Sequence, residues 1–83
     1  SVHELTNSAI RIYPNPATDV INIDVPANLK YHTNIYDLNG RLISSSKNKS
    51  IIEIQTLPLG VYLIEITDLD SDYKVIEKII KAN

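Results

Sequence analysis

Cysteine, tryptophan, phenylalanine and methionine are all missing from this 83-residue chain, and glycine occurs only twice. Without cysteine there is no disulfide scaffold and no thiolate-ligated zinc or iron–sulfur site. Two glycines are too few for a glycine-rich phosphate loop. No apolar run approaches the roughly 20 residues that a membrane-spanning helix needs. A basic excess is missing too: eight Lys and Arg stand against ten Asp and Glu, a formal net charge of −2. A nucleic-acid partner is therefore not expected. The chain starts at Ser1, with no basic segment leading into an apolar run. The expectation is a single terminal module cut from a longer protein.

What remains is rich in β-branched side chains. Fourteen Ile, five Val and five Thr, with eight Leu and five Tyr, supply the material for a core. Such residues are stiff at χ1 and suit a pleated surface better than a helix. Their spacing agrees. Within Val20–Val25, Ile21, Ile23 and Val25 alternate with Asn22 and Asp24. Ile52 and Ile54 alternate with Glu53, and Tyr62, Ile64 and Ile66 share one face of the next run. Period two over short stretches marks half-buried strands. Seven are predicted, at about 10–13, 19–25, 31–38, 41–45, 50–55, 60–67 and 73–81.

Turn signals separate these runs every 8–12 residues or so, as in an antiparallel sandwich or barrel. Pro14-Asn15-Pro16, Pro26-Ala27-Asn28 and Pro58-Leu59-Gly60 are three of them. Asn39-Gly40 is the strongest hairpin signal, because both residues tolerate φ > 0. Ser44–Ser50 is polar and reads as an exposed loop, and Ser1–Ala9 as a linker. Residues 73–81 also admit an amphipathic helix. A bulged edge strand accounts for the paired isoleucines equally well and is preferred.

Little in the chain points to chemistry. Asp68, Asp70 and Asp72 have the first spacings of a calcium loop, but Tyr73 and Ile79 stand where it needs Gly and Glu. A solvated acidic turn is expected, with no metal site and no cofactor. His3 and His32 have no Cys partner and no Gly-x-Ser-x-Gly setting, so no nucleophile–base pair is supported and no catalysis is expected. Five scattered tyrosines without tryptophan favour core and rim packing over a sugar platform. The last run, Lys74–Lys81, reads either as an edge strand with lysines that discourage pairing or as a strand read by another protein through β-addition.

Four pieces in order then form a pattern: Ile12-Tyr13-Pro14-Asn15-Pro16-Ala17, Ile35-Tyr36-Asp37-Leu38-Asn39-Gly40-Arg41, Leu57-Pro58-Leu59-Gly60-Val61-Tyr62, and Lys78-Ile79-Ile80-Lys81. Together they resemble the type A C-terminal sorting domain of the type IX (Por) secretion system of Bacteroidota. The resemblance covers Ile10 to Lys81. It implies an all-β, Ig-like antiparallel β-sandwich of about seven strands over residues 10–83. It also implies an address for export of an upstream cargo domain across the outer membrane, to the cell surface or the medium. Partners so implied are the outer-membrane machinery and a sortase-like cysteine peptidase that removes the domain. By the same resemblance, Lys78, Ile79, Ile80 and Lys81 are the recognition residues. Tyr13, Pro14, Asn15, Pro16, Asn39, Gly40, Gly60 and Tyr62 are assigned to structure, those of the proline bend with Gly60 and Tyr62 to recognition in second place, and Asn15 is expected to bond nearby backbone and hold the bend. One minor departure is that Ala82 and Asn83 trail past the last lysine.

Deleting Lys78–Asn83 is expected to stop export while the remainder stays soluble. Exposed sheet edges are expected to allow a weak homodimer at high concentration. The rival reading is an accessory Ig-like module that binds glycan or protein for a secreted hydrolase. It needs an exposed aromatic or polar platform, and no such cluster is visible in the sequence.

Overall fold

The structure is a computed structural model and describes residues 10–83. The expected linker, with His3, lies outside the described residues. Seven strands follow in chain order: β1 (Arg11–Tyr13), β2 (Val20–Asp24), β3 (Tyr31–Asp37), β4 (Leu42–Lys47), β5 (Ile51–Glu53), β6 (Gly60–Asp68) and β7 (Lys74–Lys81). They form two antiparallel sheets, ordered β1-β2-β5 and β4-β3-β6-β7. The chain changes sheet after β2, after β4 and after β5. This is the Greek-key logic of an Ig-like sandwich, with inner faces of both sheets meeting in one core.

The core is aliphatic because the sequence offers little else. Ile21 and Ile23 from β2, Ile35 from β3, and Ile64 and Ile66 from β6 are buried, together with Ile52 and Ile54. These are the inward positions that alternation predicts. Tyr62 is buried as well, and its hydroxyl donates to the Pro58 carbonyl at 2.6 Å. A tyrosine near the start of the sixth strand, tied to backbone four residues upstream, is the corner device of Ig-like sandwiches. Ile64, two residues on, fills with branched carbon the place where antibody domains carry a cysteine.

Three local expectations change. First, β4 does not stop at Ser45: Ser46 and Lys47, expected in the polar loop, belong to it and pair with Thr33 and His32 of β3. Serine has little preference for a strand, and it is the cross-strand ladder that holds it there. Second, the Asn39-Gly40 hairpin is one residue longer than a two-residue turn. Gly40 has φ +85 while Asn39 does not have positive φ. Gly40 N–H donates to the Asp37 carbonyl at 3.0 Å, and Asp37 N–H to the Arg41 carbonyl at 3.0 Å. Such a three-residue loop ends in a left-handed residue, which glycine adopts freely. Third, β7 is a regular strand, neither helical nor bulged. It pairs with β6 in unbroken register from Gly60↔Lys81 to Thr67↔Lys74.

Candidate functional site

Alternation decides what the terminal strand shows. Adjacent residues of a strand face opposite sides, so the four residues Lys78–Lys81 divide two and two. Lys78 is exposed and Ile80 is 40% exposed, both on the outer face. Ile79 is 2% exposed and lies in the core. Lys81 is 9% exposed and donates its ammonium to the Leu57 carbonyl at 3.2 Å. With the Tyr62 hydroxyl on Pro58, Lys81 thus fastens the loop before β6. The same split applies upstream: Val75 is buried, and Ile76 is 60% exposed.

The proline bend meets this strand. Asn15 does not bond its own neighbourhood. Its side-chain amide donates to the Lys78 carbonyl at 2.9 Å and its oxygen accepts from the Ile80 N–H at 3.0 Å, across 63 and 65 residues of chain. Ala17, fully buried, continues the contact as a parallel bridge to Lys81. Its N–H donates to the Ile80 carbonyl at 2.8 Å, and its carbonyl accepts from Ala82 N–H at 2.7 Å. Pro14 and Pro16 lack backbone donors, so this short strap cannot itself extend the sheet on its far side. Tyr13, half exposed, lies under the Arg11 guanidinium at 5.2 Å from the ring centroid. The structure thereby joins Asn15 to Lys78 and Ile80. It leaves Asn39 and Gly40 in the β3–β4 turn, and places Gly60 and Tyr62 at the start of β6, directly after the loop that Lys81 fastens.

Ala17 and Leu57 carry backbone contacts of this edge, and reasoning from side-chain chemistry does not reveal them. The proline spacing hints only that the chain leaves the ladder there. On the outer face of the larger sheet, Glu65 accepts from Asn34 at 3.2 Å and from the Tyr36 hydroxyl at 3.3 Å, and pairs with Lys74 at 3.7 Å. His32 contacts the Ser45 hydroxyl at 2.9 Å. No ligand-sized cavity and no group of His, Asp and Glu able to hold a metal occurs among the described residues.

The sequence pattern of the secretion-system C-terminal sorting domain family matches residues 11–82. The chain belongs to that family. A sorting domain of this kind is a type IX export signal that directs the protein carrying it across the outer membrane, to the cell surface or the medium. The family is one of signals and not of catalysts. An endo-acting ulvan lyase of Formosa agariphila is 36% identical to the chain over 69 residues. That match takes in 78% of this chain but only 13% of the length of the lyase.

Proposed function

We propose that the sorting domain is read by the export machinery at the β7 edge, through Lys78 and Ile80, while Ile79 and Lys81 hold that edge in place from within. The observation that carries this reading is the two-and-two division of the tail, together with the strap that clamps it. The domain performs no chemistry of its own, and its partners are the outer-membrane machinery and an upstream cargo domain. The relative's printed activity makes a polysaccharide-degrading enzyme one class of cargo it could serve. A sortase-like peptidase then cuts at or before Ser1–Ala9 and removes the domain. Self-association through a sheet edge remains weak, because β1 and β5 are three residues long and β4 is irregular at its pairing with Ile35 and Tyr36.

The test is to fuse residues 1–83 to a periplasm-targeted fluorescent reporter in a host with a type IX system. Surface or medium fluorescence is expected. Reporter retained in the periplasm with an intact, folded domain sinks the reading. The outer-face cluster of Asn34, Tyr36 and Glu65 is the observation that favours the rival, a glycan-holding module. Micromolar sugar binding by titration calorimetry that Tyr36→Ala abolishes would support that rival instead.

A further inference from the structure

The β7 edge has two halves. Even-numbered residues turn their backbone groups away from β6, as the bonds of Ile80 to Asn15 and Ala17 show. From the Lys78 carbonyl to the Ala82 N–H this outward side is occupied by Asn15 and Ala17. From Lys74 to the Lys78 N–H it has no partner among the described residues, because β7 is the last strand of its sheet. The open half is in regular, unbroken register with β6. It also carries an exposed isoleucine, Ile76, between Lys74 and Lys78 on one face. An edge with unpaired donors and acceptors is a template for another strand.

Charge selects the occupant. Antiparallel pairing of two copies about Ile76 would set Lys74 of one against Lys78 of the other, and like charges directly opposite are destabilising. A parallel, in-register pair would set each lysine beside its own copy. Glu77 points toward the sandwich side and gives a second copy no apolar contact there. A segment that alternates acidic and apolar residues has the opposite balance: an acid meets Lys78 and an apolar residue meets Ile76, while the Lys74 ammonium already pairs with Glu65 at 3.7 Å.

We infer that the open half-edge Lys74–Lys78 is where the export machinery docks, by adding one extended strand of alternating acidic and apolar residues, and that Asn15 is the stop at which the added strand ends. The inference rests on the reading of the β7 edge as the recognition site. It adds the mode, which is backbone pairing with pockets for alternate side chains, and it sets the register.

The test uses the reporter fusion with three variants. Ile76→Pro removes one outward N–H and no bond to β6, and proline is tolerated on an edge strand whose N–H faces solvent. Ile76→Thr changes the side chain and keeps the donor. Lys78→Glu reverses a charge that touches no core contact. Melting of each purified domain reports folding. Strand addition predicts that folded Ile76→Pro and Lys78→Glu lose export roughly tenfold or more, while Ile76→Thr stays within about twofold. Export of Ile76→Pro at the unaltered level overturns the inference, as does equal loss in Ile76→Pro and Ile76→Thr. If Ile76→Pro does not fold, Lys78→Glu decides alone: unaltered export refutes the acidic strand. Failure of the unsubstituted fusion is a different result and refutes the export reading itself.

Discussion

Lys78 and Lys81 carry the same charge three residues apart and meet opposite surroundings. Lys78 reaches solvent, and no partner for its ammonium is found among the described residues. Lys81 is nearly enclosed and its ammonium holds a carbonyl of the loop before β6. Removing a charged donor that satisfies a half-buried carbonyl typically destabilises by about 1–3 kcal/mol. Lys81→Ala should therefore lower urea-unfolding stability by roughly that amount. Lys78→Ala should stay within about 0.5 kcal/mol, the usual range for an exposed substitution. Equal denaturation midpoints for the two variants would contradict the assignment of Lys81 to structure. Asn15 teaches a related lesson. Its amide has the donor and acceptor of a peptide unit, so one side chain can stand in for a stretch of neighbouring strand.

At the scale of elements, the β3–β4 hairpin shows how a charge sets a turn. The Asp37 carboxylate accepts N–H bonds from Asn39 and Arg41, each at 2.9 Å, and the Arg41 guanidinium lies 3.3 Å from its other oxygen. The Arg41 amide is the largest of these influences, and together they hold the Asp37 pKa below its ordinary value despite an opposing push from burial. The sign follows from linkage. Because the folded carboxylate gives up its proton more readily than the unfolded one, the unfolded chain takes up the proton first as pH falls. The hairpin's contribution is complete above the ordinary aspartate range near pH 4 and fades as pH drops through the folded value. Asp37→Asn should flatten this part of the acid limb of a stability–pH curve. An unchanged limb, measured by thermal melting between about pH 2 and 6, would show that Asp37 does not anchor the turn. Gly40 belongs to the same element. Its φ of +85 excludes easy replacement even though a β-carbon there would meet nothing within 4 Å.

At the scale of the molecule, the tail cannot be treated as a detachable label. Ile79 is part of the core, Lys81 fastens a loop, and Asn15 and Ala17 find their partners between Lys78 and Ala82. Loss of one buried isoleucine alone costs about 2–5 kcal/mol. A domain of this size has a total stability of about the same order. Removing Lys78–Asn83 is therefore expected to abolish the cooperative thermal transition rather than leave a folded remainder. A truncated protein with a sharp melt close to that of the full chain would refute this. Loss of export on truncation does not by itself identify recognition residues, and point substitutions on the outer face are the cleaner probe.

The order and kind of elements were legible from residues alone. Isoleucines at alternate positions predict strands because one face of each must leave water, and Tyr62, Ile64 and Ile66 point inward as that rule requires. Pro14-Asn15-Pro16 marks a departure from the ladder for an equally local reason, two missing donors. The far end of β4, Ser46 and Lys47, is not legible within its polar stretch, because its place in the strand comes from pairing with β3. The hairpin was half legible: Gly40 announces a left-handed residue, but the extra loop position depends on how Asp37 meets Arg41. The resemblance assigns the four tail residues to one patch, although strict alternation already implies that neighbours face opposite ways. Which of those faces is the inner one needed the second sheet. The bond between Asn15 and β7 needed the closed sandwich, because only folding brings residues 63 and 65 positions apart within hydrogen-bonding reach.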